Sequence, residues 1–201
     1  MKRILFILMT FVLTSVAAAN AQKVAVKTNV LGWATATPNL GFEFAMADRW
    51  TFDFAGGYNP WTFDKQQNIK AKHWVVTPEF RYWFCESLQG HFIGINGNYT
   101  QFNISGLPLP NAFIELKSNV PAPANFRDVR MNGWAVGAGL TYGYAFPIAR
   151  RWNMELTAGF GWWYTEYDQF ESRKCGMFQQ KVNRHALGLS ALGISFVYLI
   201  K

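Results

Sequence analysis

Residues 133–146 read Gly-Trp-Ala-Val-Gly-Ala-Gly-Leu-Thr-Tyr-Gly-Tyr-Ala-Phe. Their odd positions are Gly133, Ala135, Gly137, Gly139, Thr141, Gly143 and Ala145; their even positions are Trp134, Val136, Ala138, Leu140, Tyr142, Tyr144 and Phe146. The stretch lies inside a charge-free run, 131–149, that by length alone would suit a membrane helix, and Gly133/Gly137 and Gly139/Gly143 have helix-dimer spacing. The period excludes that reading. A helix would mix the two sets around its circumference, whereas a strand sends them to opposite faces, one small and one large and apolar.

The same alternation recurs on both sides. Leu40, Phe42, Phe44 and Met46 oppose Gly41, Glu43 and Ala45; Trp50, Phe52, Phe54 and Tyr58 oppose Thr51, Asp53, Ala55 and Gly57. Trp74, Val76, Phe80, Tyr82 and Phe84 oppose Thr77, Glu79 and Arg81, and Trp152, Met154, Leu156, Phe160, Trp162 and Tyr164 oppose Asn153, Glu155, Thr157, Gly159 and Gly161. Weaker versions occupy 24–33, 91–103 and 184–200, which makes eight strands. The links alternate short (47–49, 85–90, 147–151) and long (59–72, 104–130, 168–183), with a shorter one at 34–38. The expected fold is therefore all-β: an eight-stranded antiparallel up-and-down transmembrane β-barrel with short periplasmic turns and long extracellular loops. Trp50, Phe84, Phe146, Trp152 and Tyr198 then form one aromatic girdle, and Trp33, Tyr58, Trp74, Trp134 and Tyr164 the other. A soluble barrel with the large face inward would leave a glycine-rich, nearly uncharged wall in water, an unusual soluble exterior.

Composition agrees. Charged residues make up 15% of the 201, against roughly 25% in an average soluble chain, while aromatics reach 17%. Two cysteines, Cys85 and Cys175, exclude a small disulfide scaffold. Lys2 and Arg3, the apolar run 4–13 and Ala19-Asn20-Ala21 read as a signal peptide over 1–21, leaving 22–201 as the barrel and lowering the net charge from +7 to +5. Neither cysteine stands at that cleavage site, which excludes a lipid-anchored N-terminus, and the expected location is the outer membrane of a Gram-negative cell.

The segments Lys27–Phe44, Asn59-Pro60-Trp61, Pro78–Phe84, Gly90–Gly94 and Arg151–Asp168 resemble an uncharacterised family of small outer-membrane barrels found mainly in Bacteroidota. The resemblance covers nearly all of 22–201. It implies a barrel often encoded beside fimbrial or surface-assembly components, and it brings no activity, cofactor or catalytic residue with it. The loop 104–130 matches the family least.

Among candidate groups, Lys27, Glu43, Asp53, Glu79, Arg81 and Glu155 fall on the small face and are expected to form a buried ion-pair network, because eight strands close to an interior just filled by side chains. The interior glycines leave room for water, which keeps a narrow channel as an alternative. An outer-membrane lipid A-modifying enzyme is another, needing a histidine beside a serine; His73, His91 and His185 are the histidines, and His185 and Ser190, five residues apart on one strand, face opposite ways. No metal-ligand spacing and no nucleic-acid motif is present, so no cofactor and no nucleic-acid partner are expected. Bases outnumber acids in the long loops, and Lys72, Arg130 and Arg184 are candidates for the phosphates of lipid A in lipopolysaccharide. Loop 104–130 is apolar and proline-rich: Leu107, Leu109, Phe113, Ile114 and Leu116, with Val120 and Phe126, must either fold over the barrel mouth or dock a surface-assembly partner. The functional expectation is a non-enzymatic surface or scaffold protein.

Overall fold

The computed structural model describes residues 23–107, 113–121, 123, 126–173 and 176–200. The expected signal peptide, Leu109 and Cys175 lie outside the described residues. The chain forms ten strands: β1 (Val24–Asn29), β2 (Asn39–Ala47), β3 (Trp50–Asn59), β4 (Thr62–Asp64), β5 (Ile69–Trp83), β6 (Gly90–Ser105), β7 (Phe113–Ser118), β8 (Val129–Ala149), β9 (Trp152–Glu171) and β10 (Phe178–Leu199), with a short helix α1 (Val30–Ala34) after β1. Strands β1, β2, β3, β5, β6, β8, β9 and β10 pair antiparallel in that order, and β10 returns to β1 from Ala25↔Leu199 to Asn29↔Ser195, so eight strands make a closed ring of one sheet. No described helix is long and apolar enough to cross a membrane.

The alternation read from the sequence sorts side chains as expected. Leu140 and Phe160 are exposed on the outer wall, while Glu43, Thr51, Thr141 and Glu155 are buried inside. The two aromatic sets meet across strands: Trp50 lies 5.0 Å from Tyr82 and Trp152 5.0 Å from Tyr198 at the short-turn end, and Trp74 lies 5.3 Å from Tyr99 and Trp134 5.5 Å from Tyr164 toward the long loops.

Three features depart from the expected strands. The first strand stops at Asn29 instead of continuing to residue 33, because the Asn29 side chain accepts from Leu31 N and caps α1, and Asn39 Oδ1 accepts from Asn29 N at 2.6 Å. Trp33 therefore stands on a helix, its Nε1 donating to Thr28 Oγ1 at 2.7 Å. Second, the far strands run well into the expected loops: β8, β9 and β10 have 21, 20 and 22 residues against 6, 9 and 10 in β1, β2 and β3. Third, the loop 104–130 is not all loop. Its residues 113–118 form β7, which pairs with β10 from Phe113↔Gly188 to Ser118↔Arg184, above the point where β1 leaves off.

The short link 85–90 is also more than a turn. Leu88 is buried inside the ring with φ +69°, its carbonyl accepts from Asn153 Nδ2 at 2.7 Å, and Ser87 N donates to Asp48 O at 2.8 Å. Leu88 joins Ala25, Trp83, Phe92, Ala145 and Val197 in an apolar plug at the short-turn end. At the long-loop end Val129, Met131, Tyr167 and Val182 form a second cluster, covered by Phe102, Val120 and Phe126.

Candidate functional site

Between these two apolar clusters lies a layer of charge. Register places its members on adjoining strands: Glu43 and Asp53 are cross-strand partners, as are Asp53 and Glu79, while Arg81 pairs with Thr51. Lys27 Nζ lies 2.8 Å from Glu43, 3.0 Å from Asp53 and 3.6 Å from Glu155. The Arg81 guanidinium reaches all four acids, at 3.1 Å to Glu43, 3.3 Å to Asp53, 2.8 Å to Glu79 and 3.0 Å to Glu155. None of the six residues is more than 6% exposed. The structure thus brings together every member of the network expected from the sequence. Charges so far from water are tolerated only when paired and hydrogen-bonded, and neutral donors complete the set: Thr51 Oγ1 donates to Glu43 at 2.5 Å, Thr141 Oγ1 to Glu79 at 2.5 Å and Thr157 Oγ1 to Glu155 at 3.0 Å.

The layer is tied to the plug beneath it. Trp83 Nε1 donates to Thr51 Oγ1 at 2.9 Å, and Arg81 Cζ lies 4.5 Å from the Phe92 ring centre, a cation–π contact. The Trp83 and Phe92 rings pack against each other tilted by 43°, with centroids 4.7 Å apart. No charge pattern singles these two out; their signal is that large rings interrupt an inner face otherwise made of small and polar residues. A further ring the alternation does not flag is Trp163, on the inner face of β9, where a Cβ on Gly137 would come 2.8 Å from its indole. Gly137, Gly143 and Gly41 are the floor on which Trp163, Phe92 and the Lys27 stem lie: a Cβ on Gly143 would come 2.3 Å from the Phe92 ring, and one on Gly41 2.9 Å from Lys27 Cγ.

On the outer wall at the long-loop end, Lys72 and Arg130 share a face with Lys70. Lys70 and Arg130 are both partners of Ser105, and Lys72 and Asn132 are both partners of Asn103. Partial burial and then the positive charges of Arg130 and Lys72 hold the Lys70 ammonium below its ordinary range. Arg130 also lies over the Phe170 ring at 4.2 Å. Arg184 does not belong with them. Its place on β10 turns it to the inner face, where its Nε lies 3.0 Å from Glu115 of β7, so this candidate phosphate contact is spent on a pairing within the chain.

The apolar loop divides. Val120 and Phe126 fold onto the outer cluster, whereas Phe113, Ile114 and Leu116 sit on β7 with half or more of their surface exposed. Leu107 precedes the strand and is partly buried. His185 lies against Trp162 and Tyr164 on the outer wall, and Ser190 is buried inside, where its Oγ accepts from Asn96 Nδ2 at 3.1 Å. His73 Nδ1 is 2.8 Å from Ala71 O, and His91 Nδ1 is 2.6 Å from the Tyr142 hydroxyl. Cys85 is a free, exposed thiol.

No curated protein matches this chain. The family model described as "Protein of unknown function (DUF3575)" matches residues 5–200, a span that takes in every strand of the ring, both apolar clusters and the charged layer between them, and the chain belongs to that family.

Proposed function

We propose that the chain is an outer-membrane β-barrel of a Gram-negative cell, exported by its first 21 residues, that works without enzymatic activity as a surface or scaffold protein. One observation carries this reading. The outer wall between the two sets of paired aromatics is uncharged and apolar, with Ile95 65% and Leu140 68% exposed, while the charge is held inside a sheet that has no free edge along its short-turn half. Lipid is the solvent in which such an inside-out distribution is stable. Strands β8–β10 have about twice the 9–11 residues that spanning requires, so their long-loop halves rise beyond the bilayer as an extracellular wall.

The scaffold reading follows from what fills and what faces outward. Trp83, Phe92 and Leu88 plug one end and the loop residues Val120 and Phe126 cover the other, which disfavours a channel. His185 and Ser190 lie on opposite faces of β10, which disfavours the enzyme reading. Lys70, Lys72 and Arg130 suit the anionic phosphates of lipopolysaccharide, and the exposed Ile114 and Leu116 of β7 are the surface offered to a partner of surface-appendage assembly.

Four measurements test this. Fractionation of cells should place the protein in the outer membrane with Cys85 shielded from an impermeant maleimide until that membrane is opened; labelling in intact cells would reverse the inside–outside assignment. Capture from outer-membrane extract with and without residues 106–126 should give a partner that depends on that segment; stepwise single-channel conductance in planar bilayers would instead favour the pore.

A further inference from the structure

The outer wall changes character at its long-loop aromatics. Register aligns its side chains in rows across β3, β5, β6 and β8: Tyr58, Trp74, Gln101 and Trp134 form one row, and Lys72, Asn103 and Asn132 the next toward the long loops. Between the rows runs a groove of about 550 Å³ lined by all seven, within the ordinary range for a small-ligand site. Its floor is the backbone of Asn59, His73, Phe102 and Gly133, which pair in turn across the four strands and whose side chains alternate to the inner face. With neighbouring strands about 4.8 Å apart, that floor is about 14 Å long.

The walls of the groove suit a ligand that has both an apolar face and hydroxyls. Trp74 packs on Tyr99 at 5.3 Å and Trp134 on Tyr164 at 5.5 Å, so each indole is held by a ring one row nearer the apolar wall. Gln101 is fixed between them: its Oε1 accepts from Trp74 Nε1 at 3.2 Å and its Nε2 donates to the Tyr99 hydroxyl at 2.9 Å. Asn132 is exposed, and Asn103 Oδ1 has no hydrogen-bond partner among the described residues. An indole packs on the C–H face of a sugar ring, and amides present a donor beside an acceptor, the pattern that adjacent hydroxyls require. Charge completes the set. Lys70 and Arg130 stand in the row beyond Lys72, and among the described residues none of the three has a carboxylate within ion-pairing distance. The acids that continue the two rows, Glu166 beside Trp134 and Asp168 beside Asn132, border Lys181, which bonds Glu166 at 2.6 Å.

We propose that this groove is a binding site for the phosphorylated sugar headgroup of an outer-leaflet glycolipid, its ring lying over the backbone floor between Trp74 and Trp134, its hydroxyls bonded to Gln101, Asn103 and Asn132, and its phosphate held by Lys72 with Lys70 and Arg130. The inference deepens the reading of these cations as phosphate contacts and rests on it for the phosphate and for the lipid source; the groove alone carries the sugar. An anion offsets three neighbouring positive charges and makes charge-assisted hydrogen bonds to them. A phosphate lipid without a sugar would satisfy the cations and leave the indoles and amides unmatched. On the membrane reading the groove opens at headgroup level, since the exposed apolar wall of Ile95 and Leu140 begins below its aromatic row.

The test uses the full chain folded in neutral maltoside micelles, with folding scored by heat-modifiable mobility and binding read by native mass spectrometry and calorimetry. The probes are an acylated glucosamine disaccharide bearing two phosphates, the same glycolipid without its phosphates, phosphatidylglycerol as a phosphate lipid without the sugar, and free glucosamine phosphate. The phosphorylated glycolipid should bind at least tenfold tighter than each of the other three. Asn132→Leu, which keeps both indoles and every charge, should weaken it at least fivefold and leave phosphatidylglycerol unchanged. Trp134→Ala should weaken it as much, and Lys72→Gln should weaken both phosphate-bearing lipids. If Trp134→Ala does not fold, Asn132→Leu decides. Glycolipid binding no tighter than that of phosphatidylglycerol, or indifferent to Asn132→Leu and Trp134→Ala, overturns the proposal; sensitivity to Lys72→Gln in that case leaves the phosphate reading standing. Equal binding of free glucosamine phosphate overturns the lipid source. A protein captured from outer-membrane extract that is lost with Asn132→Leu and not displaced by the glycolipid overturns the proposal in favour of a protein-docking surface. Absence of the chain from the outer-membrane fraction overturns the membrane reading and the lipid source with it, whatever the micelles show.

Discussion

In the short-turn half of the ring, β1 is hydrogen-bonded to β2 on one side and β10 on the other, and the space behind it is occupied by six interlocked charges over an apolar plug. In the long-loop half β1 is absent: β10 takes β7 as its neighbour, a segment that returns from a loop, and the interior is an apolar cluster roofed by Val120 and Phe126. The first half is closed by a ladder that any shift of register would ruin, because moving one residue would turn Lys27 outward. The second is closed by an added strand and by side chains such as Asn29 and Trp163, the latter donating to Leu189 O at 3.1 Å. The contrast teaches that the two halves close by different means: the short-turn half by pairing of the eight strands of the ring, the long-loop half by a strand that returns from a loop.

The largest expected effect lies in the charged layer. Arg81→Met leaves four acids with Lys27 alone and should cost about 3–5 kcal/mol in reversible urea unfolding from vesicles, as loss of one partner of a buried ion cluster does. Adding Glu155→Gln should recover part of that loss, with a coupling of at least about 0.5 kcal/mol; strictly additive losses would mean the layer is not a network. Next comes the outer wall. On the proposed membrane reading, Leu140→Arg at mid-bilayer should cost about 2–4 kcal/mol, whereas Ile114→Arg on β7, which that reading puts above the lipid, should cost under about 1 kcal/mol. Equal costs would erase the difference between the halves.

Smaller effects sharpen it. Gly137→Val should cost about 1–3 kcal/mol by forcing Trp163 out of place, and a second change, Trp163→Leu, should relieve much of it; no relief would show that the glycine serves the backbone and not the ring. The smallest effect is Glu115→Gln, which loosens β7 through Arg184 and should change global stability by under about 1 kcal/mol. Hydrogen exchange should nonetheless quicken at Arg184–Gly188 and stay unchanged at Ser195–Leu199; uniform change along β10 would show that the two closures are one cooperative unit.

Much of this was legible from alternation. The faces of β2, β3, β5, β8 and β9 and all six charges of the layer follow from a period of two, since a charge on the small face of a closed sheet has nowhere to go but inside. The ends of elements were not legible. Residue 33 falls in a helix because Asn29 and Asn39, 10 residues apart, exchange hydrogen bonds across the turn, with Asn39 Nδ2 donating to Asn29 O at 2.9 Å, a pairing that no hydrophobic alternation marks. Strand β7 escapes a local reading because its partner, Arg184–Gly188, lies about seventy residues away in sequence and is left unpaired only by the early exit of β1.

What the sequence determined by itself is the sheet, its two faces and the membership of the buried network, because these depend on local spacing that holds wherever the strand pairs. What only the tertiary structure decided is the closure. Lys72 and Arg130 joining Lys70 on the wall, Arg184 turning in to Glu115, and the plug of Trp83, Phe92 and Leu88 all depend on which distant strand edges meet when the ring shuts, and edge pairing is a property of register between strands, which no single strand encodes.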